Sequence, residues 1–356
     1  MASIHDLSCG DEGARAVTSD QITGGQGSRR GLAAPSDFHR VRARLWLLIL
    51  AAAVLAAAWM CAAGLALDAA STLLPAVSCA GLEVLATFYA TRRPDPRLAV
   101  SLSCVAQIIA FSACAALLSY AVAATGGPLW DDTFLALDRS LGLDWLAYLH
   151  GLNDRPWLGS ALSLAYRSLM PQMILVVVVL GFGGRLNAAR EFVLAFMIAG
   201  LVTILLSALM PAMAIFVHLG LQPDDFPRLN PTAAYAHLAD LSGLRDGTLR
   251  SVTLDRIEGI ITFPSFHAAL GVLFIRYFWI SWIARWPGLA LNAMMIASTP
   301  IDGGHYFVDV GAGAVIAILA IVAAGFLGRS ARNAAGLRKV PAWPAARGEG
   351  VAAHGS

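Results

Sequence analysis

The chain has 356 residues, of which 58% are hydrophobic and 13% charged, with a mean hydropathy of +0.66. Soluble domains are nearer about a quarter charged, so this balance excludes an ordinary soluble domain and points to lipid as the solvent. The net charge of +2, with no basic patch interleaved with aromatics, excludes a nucleic-acid partner.

Residues 1–44 are polar, rich in Gly, Ser and Asp, and end in Arg40, Arg42 and Arg44. That composition predicts a disordered cytoplasmic leader before a retained first helix. Cys61, Cys79, Cys104 and Cys114 lie in apolar stretches, with Cys9 alone in the leader, so neither a disulfide framework nor a CxxC metal site is present. A helix crossing the hydrocarbon core needs about 20 apolar residues. The candidate spans are Leu45–Leu67, Ala69–Ala90, Leu98–Ala124, Trp157–Phe182, Phe192–Val217, Pro264–Ile283, Pro287–Ile301 and His305–Leu327. The seventh is short and borrows Arg285 and Trp286 as an interfacial anchor. Pro75, Pro171 and Pro211 fall inside spans, where neighbouring helices are expected to satisfy the freed carbonyls. The expected fold is an all-α polytopic membrane bundle of about eight helices.

Orientation follows the basic residues. The leader arginines, Arg92, Arg93, Arg97, Arg185, Arg190 and Arg285 fall on one side with the tail cluster Arg329, Arg332, Arg338, Lys339 and Arg347. Both termini are therefore expected in the cytoplasm, and the Ala- and Arg-rich composition fits a bacterial inner membrane. On the outer face, Gly126–Pro156 carries Trp130, Asp131, Asp132, Leu135, Leu137, Leu141, Trp145 and Leu149. This spacing predicts an amphipathic helix lying in the interface with Trp anchors. The segment Leu219–Phe263, with Pro223, Pro227 and Pro231, reads as a lid, a substrate-binding loop or a plain connector.

Two segments break the rule that membrane helices avoid ionisable groups. The first is Phe263-Pro264-Ser265-Phe266-His267 at the start of the sixth span. Pro suits the first turn of a helix, and the free N–H groups there form an anion site. Ser265 adds a hydroxyl and His267 a proton donor; the plain alternative is a capped helix with an interfacial His. The second is Asp302-Gly303-Gly304-His305-Tyr306-Phe307-Val308-Asp309. Four apart, His305 and Asp309 share one helix face. The carboxylate can then hold Nδ1–H and leave Nε2 as nucleophile or base, while Gly303 and Gly304 admit a ligand to the backbone. A His–Asp pair tying helices together is the plain alternative. Ionisable groups cost roughly 3 kcal/mol each in a membrane helix and are functional by default, so two His and an Asp at one depth favour function.

The pattern Pro-Ser-x-His followed by His-x-x-x-Asp resembles the type 2 phosphatidic acid phosphatase superfamily of lipid phosphate phosphatases. Phe-Pro-Ser-Phe-His-Ala and Thr-Pro-Ile-Asp-Gly-Gly-His-Tyr-Phe-Val-Asp look closest to its inositol phosphorylceramide synthase-like branch. The resemblance implies a six-helix catalytic core over residues 98–328, with outer-face segments 125–156 and 219–263. Residues 45–97 become two additional N-terminal helices and 329–356 a basic cytoplasmic tail. It also implies metal-independent phosphoryl chemistry through a phosphohistidine, with no cofactor. His305 would be the nucleophile, Asp309 its orienting carboxylate, His267 the general acid, and Ser265 and Gly304 phosphate contacts. The substrate would be a lipid phosphate, and the branch adds a lipid alcohol as acceptor. The family's last motif opens on Ser-Arg, but Ser298 and Thr299 stand at those positions. Arg167 is the best replacement cation, with Arg228 and Arg256 weaker; Arg167 otherwise snorkels or pairs with Asp309. The residues leave two other classes open. One is a transporter or channel with a His/Asp relay, against which no inverted repeat is evident. The other is a metal hydrolase built on the two His and Asp309, for which no HExxH spacing exists.

Overall fold

The computed structural model describes residues 35–229 and 231–336, and they form a helical bundle. The first helix, α1 (Pro35–Ala63), takes in the last part of the expected leader; residues 1–34 lie outside the described residues. It packs with α2 (Leu73–Thr91) and α3 (Pro96–Ala123) around one carboxylate. Glu83 pairs with Arg42 and accepts from Trp46 Nε1 and Ser103 Oγ, each at 2.8 Å. In lipid such a tie counts because apolar contact alone does not drive helices together. Glu83 is therefore a packing residue.

Next come α4 (Asp131–Ser140), α5 (Trp145–Asn153), α6 (Pro156–Arg167) and α7 (Leu169–Phe182). Then follow α8 (Leu186–Leu209), α9 (Ile215–His218), α10 (Thr232–Ala236) and α11 (Leu238–Asp246). The chain ends its described part with α12 (Phe266–Phe278), α13 (Arg285–Asp302) and α14 (Phe307–Gly336). Among the described residues five helices, α1, α2, α3, α8 and α14, are long and apolar enough to cross a membrane. A sixth crossing is the pair α6 and α7, bent by 56°. The remaining expected spans are α12, apolar but of 13 residues, and α13, of 18.

The prolines explain these departures. Pro171 has no N–H to offer the Arg167 carbonyl and its ring would clash there, so the helix breaks at Ser168. Pro211 pushes Met210 out of the helical region (φ −136°), ending α8 before the expected Val217. Pro75 sits in the first turn of α2, so it interrupts no span. Pro300 does lie inside α13. The Ile296 carbonyl it leaves free accepts from the Thr299 hydroxyl at 2.7 Å.

Helices of alternating direction bring the C-terminal ends of α1, α3, α8 and α13 to one end of the bundle, with the starts of α2, α12 and α14. There the two-residue strands β1 (Ala66–Leu67) and β2 (Ser251–Val252) pair in parallel, Ala66 with Ser251. This ties the α1–α2 turn to the loop before α12. Tyr120, near the end of α3, donates to Asp240 (2.5 Å) and accepts from the Glu258 N–H (2.9 Å). Of the segment expected to lie in the interface, Leu137 and Leu141 are exposed, while Trp145 and Leu149 pack inward. Trp145 is 2% exposed and meets Phe216 edge-on, in a cluster with Phe134, Leu149, Phe226 and Tyr306.

Candidate active site

His305 is not on a helix: it lies two residues ahead of α14, in the link from α13. The expected helical pairing with Asp309 is therefore replaced by another arrangement. Nδ1 of His305 lies 2.7 Å from the Thr262 carbonyl and 3.5 Å from Asp309 Oδ2. A carbonyl can only accept, so Nδ1 carries the proton, and Nε2 is the ring atom that presents a lone pair whenever the imidazole is neutral. Asp309 Oδ2 accepts from the Tyr306 N–H at 2.9 Å, tightening the turn that carries the nucleophile candidate, while Oδ1 is buried without a partner among the described residues. Asp309 thus acts on His305 mainly through charge at close range, and Thr262 fixes the tautomer. His305 is 4% exposed and Asp309 fully buried.

Gly303 makes room for this ring. A Cβ on it would stand 2.6 Å from His305 Cδ2 and 3.0 Å from Nε2. Gly304 has φ +67°, which favours glycine, but its missing Cβ faces Ala234 and Ala214 and its carbonyl accepts from Ile215. Gly304 therefore packs against α10 and the turn before α9.

Ser265 is the N-cap of α12, its Oγ accepting from the Ala268 N–H at 3.3 Å. An N-cap of this kind contributes about 1 kcal/mol. Pro264 precedes the cap, two places before the first helical residue Phe266, instead of in the first turn as expected from sequence. The Ser265 N–H donates to the Asp309 carbonyl (3.1 Å), joining the starts of α12 and α14. Only glycine fits opposite: a Cβ on Gly313 would collide with the Ser265 carbonyl. Ser265 is fully buried, so its hydroxyl serves the helix while the N–H groups of Phe266 and His267 remain at the first turn for an anion.

His267, one residue into α12, stacks on Tyr166 with ring centroids 4.0 Å apart and planes at 8°. Arg167 follows Tyr166 at the α6–α7 break, exposed, with its charge acting on Asp302. Among the described residues it forms no ion pair within 4.0 Å, with Asp309 or otherwise. Arg228 is exposed beyond Pro227, and Arg256 ends a 3-10 turn packed against the α1–α2 link.

Two carboxylates missed by sequence reasoning complete the site. Asp131, Phe134 and Asp138 form one buried face of α4. Asp138 accepts from the N–H groups of Phe307 (2.8 Å) and Val308 (2.9 Å), capping α14 from outside. Burial pushes its carboxyl up from the usual range, against the pull of these two N–H groups. Asp131 accepts from the Tyr306 hydroxyl (2.9 Å) and the Met213 N–H (3.1 Å), and holds Ala214 at an unusual φ of +132°. The start of α14 is therefore already occupied by a carboxylate, whereas the first turn of α12 contains no acidic residue and is capped by Ser265. A third histidine, His237, lies buried beside Gly304's packing partner α10, its Nδ1 3.1 Å from the Ala233 carbonyl and its Nε2 3.4 Å from the Met213 carbonyl. Burial holds it below the usual histidine range.

A family model described as the PAP2 superfamily matches residues 132–323, from the first turn of α4 into α14. No curated protein and no solved structure matches the chain. The match takes in Thr262, Ser265, His267, His305 and Asp309 and covers more than half of the 356 residues. On that extent and that content the chain belongs to the PAP2 superfamily, and with it to membrane proteins whose chemistry is phosphatase-type action on lipid phosphates.

Proposed function

We propose that this protein transfers the phosphoryl group of a lipid phosphate through a phosphohistidine on His305, at the extracytoplasmic face of a bacterial inner membrane. The observation that carries the reading is the bond from His305 Nδ1–H to the Thr262 carbonyl, which leaves Nε2 as the free nucleophile. In the first step the Nε2 lone pair attacks phosphorus. The N–P bond forms, the P–O bond to the lipid breaks, and the departing oxygen takes a proton from His267. In the second step water attacks the phosphohistidine and gives its proton back to His267, while the N–P electron pair returns to Nε2. Replacing that water by a lipid alcohol gives headgroup transfer, the outcome suggested by the likeness to the inositol phosphorylceramide synthase branch. Positioning and charge stabilisation carry most of such a reaction.

The N–H groups at the start of α12 would hold the phosphate oxygens, with Arg167 as the neutralising cation. The catalytic unit is assigned to residues 98–328, braced by α1 and α2. Both termini are placed in the cytoplasm on the distribution of arginines.

A product assay tests the reading. Purified protein given dioctanoyl phosphatidic acid, with and without a lipid alcohol, is expected to release free phosphate or pass the phosphoryl group on, and to do so undiminished in EDTA. Activity lost to EDTA and restored by zinc would sink it in favour of metal hydrolysis. Arg167→Ala should raise KM about tenfold, the loss of one partly screened charge-assisted contact, while the protein still accumulates in the membrane. Unchanged kinetics would assign the cation elsewhere.

A further inference from the structure

We propose that Tyr166 is a positioning residue for proton donation, clamping the His267 ring so that its N–H meets the oxygen leaving with the lipid. The inference deepens the phosphohistidine reading and rests on it. The two histidines are held in different ways. His305 is oriented by a hydrogen bond to a carbonyl, whereas neither ring nitrogen of His267 has a hydrogen-bond partner among the described residues. What fixes the plane of His267 is the parallel face of Tyr166, at 4.0 Å and 8°. An aromatic face held that close stops the imidazole from tilting and leaves its edge, where the N–H lies, free to point at a ligand. The same face attracts an imidazolium, the form a proton donor must take.

Local folding explains why Tyr166 can do this. It occupies the last turn of α6, and the chain breaks immediately afterwards because Pro171 denies Arg167 its helical partner. The break is itself tied: Ser168 Oγ donates to the Ala165 carbonyl and accepts from Gln172 Nε2, and Gln172 Oε1 in turn accepts from Asn292 on α13. The Tyr166 hydroxyl forms no hydrogen bond among the described residues, so the ring face is the working part. Around His267 the titratable and charged groups are Tyr166 and Arg167 from α6, Asp302 from the end of α13, and His305 and Asp309 ahead of and within α14.

Leaving-group chemistry provides the test. An alkyl lipid oxygen must be protonated as it departs, whereas para-nitrophenolate leaves without a proton. Tyr166→Phe, Tyr166→Leu and Tyr166→Met are compared with wild type in the full chain, on dioctanoyl phosphatidic acid and on para-nitrophenyl phosphate. Tyr166→Phe is expected to match wild type on both. The leucine and methionine variants should lose about 10–100-fold in kcat on phosphatidic acid at similar KM, yet lose under about threefold on the aryl phosphate. The aryl reaction reports that these variants are folded. Equal loss on both substrates, or none on either, overturns the clamp. His305→Ala separates the two proposals: if it turns over both substrates, the phosphohistidine reading fails and the clamp with it. If it is inactive on both while the Tyr166 variants do not discriminate, only the clamp fails.

Discussion

His305→Ala is expected to lower kcat by about 10⁴–10⁶-fold, the range seen when a covalent nucleophile is removed from a site whose parts act as a unit. The loss should fall on kcat with KM little changed, because the proposed reading gives the holding of the phosphate to the start of α12 and to Arg167 and only the attack to His305. Its companion measurement is trapping. Wild-type protein quenched during turnover of radiolabelled phosphatidic acid should carry label that acid releases and base does not, as a phosphoramidate does, and the alanine variant should carry none. The variant also leaves the Thr262 carbonyl without its partner at 2.7 Å, a cost of about 1–3 kcal/mol in a buried place. A thermal midpoint must therefore be read beside the kinetics. Label retained by a folded His305→Ala protein would falsify the assignment of His305 as nucleophile.

The sequence made the two motifs legible because ionisable residues stand out against an apolar background, and their spacing to Pro264 and Gly303 marked both as helix starts. What it hid was how the backbone bends between them. His305 and Asp309 are four apart, which reads as one helical face, yet His305 precedes α14 and its proton goes to Thr262, forty-three positions earlier in the chain. No local pattern predicts a partner that distant. The break at Ser168 was also hidden, because Trp157–Phe182 is long and mostly apolar and a proline is tolerated within a membrane helix. Hence the stack of Tyr166 on His267 could not be read off. Thr299 illustrates the opposite case: at the place of the family's arginine its hydroxyl donates to the Ile296 carbonyl that Pro300 leaves free. The cation that an arginine there would supply must come from another element. Asp131 and Asp138 were overlooked because acidic residues on an amphipathic segment look like a solvated face. Here that face is turned inward.

Asp138→Ala is the second large effect. It leaves the N–H groups of Phe307 and Val308 unpaired at a buried helix start, a cost of about 2–4 kcal/mol for the two together. The same loss frees the peptide two residues after His305, and a misplacement of about 1 Å at a reacting group can cost about 10²-fold in rate. Both the thermal midpoint in detergent and kcat should therefore fall. Asp138→Asn retains one carbonyl oxygen but sets an amide N–H₂ against the second donor, so it should lie between alanine and wild type in both measurements. Asp132 supplies the control, since it shares the first turns of α4 and its side chain is 98% exposed. Asp132→Ala should move neither quantity by much, its remaining contact being a 3.4 Å approach to His218 that counts only when the imidazole is protonated. If Asp138→Ala proved as silent as Asp132→Ala, the external cap would be dispensable. The start of α14 would then be available to phosphate, and the division of labour between the two helix ends, one filled by a carboxylate and one left for the substrate, would have to be given up.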